Sequence, residues 1–230
     1  MTSNYYSSVL KDKASPTEYD KLFVDYIVRL AKINPQSHST LVDIGCGAGK
    51  QIKQFKKLGF NCHGLDRSES PCTTHVIDFS TFPLPFEDKS VDVFFSKSVF
   101  EHLYINQHVH LIDEMKRCLT DEGIIILTVP DFNTCSHIFY HAWSHVHPFT
   151  VTSIRRMLLI NKLNPRHVSL LQQTPATWNN DFYARLLKLF SLIIRSLKIR
   201  TPPLVAPKTS IGKFIRWSNE MQIIAIATKR

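Results

Sequence analysis

Residues 41–50 read Leu-Val-Asp-Ile-Gly-Cys-Gly-Ala-Gly-Lys, and the fold is decided there. An apolar run closes on an acid, Asp43. Three glycines then come at alternate positions, and a helical pattern (Lys50, Gln51, Ile52, Lys53, Gln54, Phe55) begins at once. Such a pattern is a buried strand opening into a helix through a turn that needs the conformational freedom of glycine. Gly45, Gly47 and Gly49 let a ligand approach bare backbone, and the helix start behind them offers free N–H groups. Nucleotide-like ligands bind at strand–turn–helix corners of this kind. A dinucleotide fingerprint would place glycine where Lys50 stands, and a phosphate loop would place a hydroxyl where Gln51 stands, so both fit poorly.

Outward from this corner, helices and strands alternate. Tyr19–Ile33 has an apolar stripe of Leu22, Phe23, Tyr26, Ile27 and Leu30, and Asn34-Pro35 ends it. Strands are expected at 41–44, 62–65, 75–77, 91–96, 124–129, 168–171 and 222–227. Between them, Ile52, Phe55 and Leu58 are expected on the inner face of a helix that Gly59 stops, and Asp121-Glu122-Gly123 is expected to turn the chain into the fifth strand, which Pro130 breaks. A helix over 150–163 is capped by Thr150 or Thr152. The rhythm predicts parallel strands with helices on both faces. Asp66, at the end of the second strand, is placed to accept hydrogen bonds from ribose hydroxyls. In Asp78-Phe79, a carboxylate beside a ring suits an adenine, one accepting from the exocyclic amine and the other packing on its face.

These motifs recur in a fixed order: Leu41–Lys50, Asp66, Asp78-Phe79, the run from Leu84 to Val93, Phe100-Glu101-His102-Leu103, and Glu114–Leu119 followed by Gly123. Together they resemble class I S-adenosylmethionine-dependent methyltransferases, in the subgroup of ubiquinone-biosynthesis, small-molecule and glycan enzymes. The resemblance implies a Rossmann-like three-layer sandwich with a seven-stranded, mostly parallel sheet and an antiparallel last strand. It implies S-adenosylmethionine as cofactor, held by Asp43, Gly45, Cys46, Gly47, Gly49, Asp66, Arg67, Asp78, Phe79 and Ser96. The connection between strands six and seven, usually a short hairpin in such proteins, is here about fifty residues long. One domain over 1–230 is expected: an N-terminal helical lid (1–36), a cofactor-binding core (37–171), a basic amphipathic insertion (172–221) and the last strand (222–230).

A hydrophobic content of 43% indicates a globular chain. No N-terminal apolar segment suggests export, and five cysteines without paired spacing suit a reducing, cytoplasmic setting. The net charge of +9 is concentrated: between Phe182 and Asn219 there are eight basic residues and no acid. Within Phe182–Arg200, the polar positions Arg185, Lys188, Ser191, Arg195 and Lys198 form one stripe on an otherwise apolar helix too short in uncharged length to span a bilayer. Pro202-Pro203 stops it, and a second basic stretch, Lys208 to Trp217, follows. Residues 182–217 are therefore expected either to lie on an anionic membrane, peripheral to its inner face, or to cover a pocket. A nucleic-acid surface would interleave exposed aromatics, whereas this helix is dominated by Leu and Ile.

Methyl transfer to an oxygen calls for a base, and histidines cluster beyond the strand ends. His102 follows the fourth strand; His145 and His147 precede the Thr150 helix in a phrase, His-Val-His-Pro-Phe-Thr, that resembles a substrate-bordering motif of the subgroup. These three are the catalytic candidates. His137, His141 and His145 have helical spacing for a metal face, but no carboxylate or cysteine completes a set in the sequence and no metal is expected. The expected acceptor is an oxygen of a glycan, a lipid-linked intermediate or another small molecule. The alternatives are a quinone precursor, RNA, or a silent cofactor-binding subunit of a complex.

Overall fold

The structure, a computed structural model, describes residues 15–179, 181–197, 215, 216 and 219–230. Seven strands form one sheet: β1 (Thr40–Ile44), β2 (Asn61–Asp66), β3 (His75–Val76), β4 (Val91–Lys97), β5 (Leu119–Pro130), β6 (Leu163–Leu171) and β7 (Gln222–Lys229). Their order is β3-β2-β1-β4-β5-β7-β6. The first five pair in parallel, and β7 runs antiparallel between β5 and β6. This is the expected seven-stranded α/β sandwich.

The helices are α1 (Glu18–Ala31), α2 (Lys50–Lys57), α3 (Ile105–Cys118), α4 (Phe132–Phe139), α5 (Val151–Ile160), α6 (Ala176–Asn179) and α7 (Asp181–Ser196). Helix α1 starts where Thr17 and Asp20 cap each other reciprocally, an arrangement worth about 1 kcal/mol. Its stripe of Phe23, Val24 and Ile27 is fully buried against Leu41, Val93 and Phe95. On the other side of the sheet, Val42, Ile44 and Phe94 meet Leu111 and Met115 of α3 and Ile154 and Leu158 of α5. Strands such as β1, covered on both faces, read as apolar runs for this reason. Thr150 caps α5 as expected, paired with Ser153.

Several local expectations need correction. Asp121-Glu122-Gly123 is not a turn but part of β5, where the pairing with β4 shifts register; Gly123 is needed because a Cβ there would lie 2.5 Å from the Leu119 side chain. Pro130 ends β5 as expected, opposite Gln222, while the strand begins earlier, at Leu119. Leu58 is exposed because α2 stops at Lys57; Gln54 takes the buried position instead.

Helix α7 is oriented differently from its expected stripe. Ser191 is fully buried and its hydroxyl accepts from the Gln172 side-chain amide at 2.6 Å, so part of the polar stripe faces inward. Phe182, Leu186, Leu189, Phe190, Ile193 and Leu197 share the opposite face and are 40% to 72% exposed. Arg185 is exposed. The side chains of Lys188 and Arg195, together with Lys198, Pro202-Pro203 and most of the second basic stretch, lie outside the described residues, as does 1–14 of the N-terminal segment. Upstream of α7 the connection is pinned to the core. Trp178 lies among Tyr19, Phe23 and Tyr26 of α1, with ring centroids 5.4, 5.8 and 5.5 Å away. Its indole N–H donates to Gln172 O. No helix of the described residues is long and apolar enough to cross a membrane.

Candidate functional site

The glycine loop lies at the C-terminal end of β1. Gly45 adopts φ +71° and Gly47 φ +50°, in the left-handed region, and a Cβ on Gly45 would come 2.4 Å from Val99 Cγ2. No side chain caps the start of α2 at Gly49, which leaves the N–H groups of its first turn without a side-chain partner. Asp66, from the end of β2, accepts from the backbone N–H of Gly47 and of Ser68, both at 2.9 Å. One lone pair on each carboxylate oxygen remains for a hydroxyl donor. A cleft of about 180 Å³ opens here, between Gly45, Gly47, Asp66, Phe79, His102 and Leu103.

This cleft fits S-adenosylmethionine on its own geometry. Its floor is backbone that a Cβ would fill, its carboxylate faces where a ribose would lie, and Phe79 supplies a ring. Arg67 also borders it, with its guanidinium 5.9 Å from the Phe79 ring centre. Asp78 stands behind Arg67: its Oδ1 accepts from Arg67 Nε and Nη2 and from the Ser80 hydroxyl. Burial opposes ionisation of Asp78, but the Ser80 and Arg67 hydrogen bonds hold its carboxyl below the usual range.

Other expected cofactor residues sit behind the cleft. Cys46 is buried, its thiol pushed up to about 12 by burial, which marks a packing residue. Gly49 lies under Cys72. Ser96 lies within β4, its hydroxyl buried in the sheet without a hydrogen-bond partner, while Ser98, at φ +56°, borders the cleft. Asp43 faces α1 rather than the cleft. Burial, aided by Asp66 and opposed by Lys97, pushes its carboxyl up to about 8. The Lys97 ammonium lies over the Phe23 ring at 4.6 Å, and Gln51 donates to Asp20 at 2.8 Å. This polar layer of Asp20, Gln51 and Lys97 under the loop is a feature the motif reading missed.

Beyond the cleft, two of the three candidate histidines meet. The rings of His102 and His145 are 4.7 Å apart, although 42 residues separate Ser144 O from the His102 Nδ1 that it holds at 3.1 Å. Burial lowers the pKa of both; the Arg67 charge adds to this at His102, and His102 adds to it at His145. His147 instead packs on His108 and Phe149, with ring centroids 4.9 and 4.6 Å away. The helical spacing of His137, His141 and His145 makes no common face, since α4 ends at Phe139. Glu101 joins the histidine pair. It is 1% exposed and burial pushes its carboxyl up to about 8, with the Ser98 hydroxyl only tempering the effect. On the far side of His145 lies a cavity of about 420 Å³, bordered by Cys135, Phe139, His141, Gln173 and the ion pair Arg216–Glu220 (2.8 Å). The His102–His145 pair therefore forms the seam between cleft and cavity.

Residues 42–127 match the family model described as a methyltransferase domain. No curated protein matches the sequence. Among solved structures, the chain resembles a SAM-dependent methyltransferase from Archaeoglobus fulgidus (15% identity, 91% of this chain and 94% of that one, TM-score 0.59). It also resembles geranyl diphosphate C-methyltransferase from Streptomyces coelicolor A3(2), solved with Mg2+, geranyl diphosphate and S-adenosyl-L-homocysteine (16%, 88% and 79%, TM-score 0.54). The [4+2]-cyclase SpnF shares the fold as well (12%, 91% and 80%, TM-score 0.56).

Proposed function

Starting from an S-adenosylmethionine-dependent methyltransferase domain, we propose that this chain transfers the methyl group to an oxygen of a small, partly apolar acceptor, such as a glycan or lipid-linked intermediate. The single observation that carries the reading is the His102–His145 pair at the seam between cleft and cavity. The cofactor, when bound, supplies an electrophilic methyl carbon. The chain's part is to align the acceptor oxygen and to ease away its proton. The two imidazoles, kept neutral by burial, lie one on each space, His102 on the cleft and His145 on the cavity, and are the groups that promote proton loss. Cys135, Phe139 and Met221 give the cavity apolar walls, while Gln173 and Arg216 supply polar anchors. Incubation with radiolabelled cofactor and extracted glycolipid, quinone and RNA fractions tests this. Label entering the glycolipid fraction supports it; label entering only RNA or quinone, or none at all, overturns it.

The exposed apolar face of α7 favours attachment to an anionic membrane over burial as a pocket cover. Seven large apolar side chains from Phe182 to Leu197 are exposed, Arg185 borders them, and the stretch from Phe182 to Asn219 is basic without an acid. We place the enzyme accordingly in the cytoplasm, peripheral to a membrane, where a lipid-linked acceptor would be presented.

A further inference from the structure

We propose that Glu101, His102 and His145 bind a divalent transition-metal cation at the seam between the cofactor cleft and the acceptor cavity. The proposal rests on the acceptor site argued above and specifies how its histidines act. Three observations carry it. First, one ligand atom from each side chain lies within 4.8 Å of the other two, among the described residues. Second, both carboxylate oxygens of Glu101 and Nδ1 of His145 are buried and poorly matched: Glu101 is met only weakly, by the Ser98 hydroxyl and its own backbone N–H, and His145 Nδ1 by no hydrogen bond. Native interiors rarely leave such groups under-matched, and a buried carboxylate beside two imidazoles has the make-up of an unfilled coordination shell. Third, His102 is oriented as metal-bound histidines are. Its Nδ1 meets the Ser144 carbonyl at 3.1 Å, which fixes the proton there and leaves the Nε2 lone pair for a ligand.

The backbone also joins the two segments. Val146 N–H and His147 N–H both donate to the carbonyl of Glu101, at 2.9 and 3.1 Å. This ties the loop carrying His145 to the 3-10 turn Phe100–His102 and holds both histidines beside the acid. Two imidazoles and one carboxylate suit zinc, manganese, iron or cobalt, and suit magnesium or calcium poorly, since those prefer oxygen alone. Three protein ligands leave at least one position open, the pattern of catalytic rather than structural sites. That position adjoins the cavity where the acceptor oxygen would enter. A hydroxyl held there would lose its proton to solvent more readily, because the cation would stabilise the oxyanion. The expected absence of a metal rested on a histidine face with no carboxylate; the acid is Glu101, brought to His145 only by the fold.

The test uses the full-length chain and Co2+ as probe, with Zn2+ uptake measured in parallel by dialysis and elemental analysis. Cobalt on nitrogen and oxygen ligands gives ligand-field bands without the intense thiolate charge-transfer band, which separates this site from the five cysteines. Expected are one equivalent of Co2+ with a nitrogen–oxygen spectrum, and a loss of affinity of roughly tenfold or more in each of His102→Ala, His145→Ala and Glu101→Gln. Circular dichroism verifies folding, and the two surface-proximal histidine variants keep the test valid should Glu101→Gln misfold. Failure of the parent to take up either cation, or unchanged uptake in the folded variants, overturns the proposal. Calorimetry with S-adenosylmethionine on the same samples separates the two readings. Cofactor binding without cation uptake removes the metal site alone, whereas loss of cofactor binding removes the function on which it rests.

Discussion

The backbone N–H of Gly47 donates to Asp66 Oδ2 at 2.9 Å. This bond ties the turn after β1 to the end of β2, so the carboxylate and the open backbone of the cleft are set by one another. At φ +50° Gly47 holds its N–H toward Asp66 in a conformation that a β-branched residue strongly disfavours. Gly47→Val should therefore abolish S-adenosylmethionine binding. Asp66→Ala should weaken it by about 1–3 kcal/mol, the usual cost of losing hydrogen bonds to a charged acceptor. Calorimetry with S-adenosylmethionine, S-adenosylhomocysteine and NAD checks both; tight NAD binding alone would overturn the cofactor assignment.

The histidines should separate into two classes. Replacing His102 or His145 by Ala should lower turnover by roughly 10²–10⁴-fold with cofactor affinity nearly unchanged. His147→Ala should leave turnover close to that of the parent, and should cost about 1 kcal/mol of stability through lost packing on His108 and Phe149. Steady-state rates and urea midpoints on the three variants decide it. A rate loss confined to His147→Ala would sink the assignment.

How much of this was legible differs by residue. The strand–turn–helix corner at 41–50 could be read because parallel strands announce themselves as apolar runs and the turn is marked by glycines. The pairing of His102 with His145 could not, since it depends on a loop folding back to hydrogen-bond the Glu101 carbonyl. Helix α4 escaped notice because Asn133, Thr134 and Cys135 are weak helix formers, and Met221 N–H donates to the Thr134 hydroxyl from a segment far along the chain. Ser191 belongs by helical spacing with exposed cations, but its tertiary partner Gln172 turns it inward. Strand β4 also runs one residue further than the apolar run suggests, to Lys97.

Asp43 gives a pH prediction. Its folded-state pKa is pushed up from the ordinary carboxylate range to about 8 by burial, with Asp66 adding and Lys97 opposing. The native state thus holds a proton that the unfolded chain has released between pH 4 and 8. Stability from this group is full below pH 4 and is lost as pH rises through that window, with a limiting slope of about 1.4 kcal/mol per pH unit that Lys97 reduces. Asp43→Asn keeps a neutral side chain of the same shape, so its stability should gain on that of the parent from pH 5 to pH 8. Urea denaturation at both pH values measures the difference, and a constant gap between the two proteins would show Asp43 to be ionised throughout.

The two faces of α7 should respond in opposite ways. Phe190 and Ile193 face outward, 48% and 46% exposed, whereas Ser191 between them is fully buried on Gln172. On a membrane-binding face, Phe190→Ser with Ile193→Ser should leave the melting temperature nearly unchanged and should reduce binding to anionic vesicles, because apolar area that inserts into the bilayer is lost. Ser191→Val should do the reverse. It leaves the buried Gln172 amide without its acceptor, at a cost of about 1–3 kcal/mol of stability. Arg185→Gln should lower vesicle affinity by about 1 kcal/mol, an effect that salt screens. Vesicle co-sedimentation at low and moderate salt, with melting curves on the same samples, reads all three. If the parent does not sediment with anionic vesicles and the outward double variant melts several degrees lower, α7 is a cover over the core, and the membrane assignment fails.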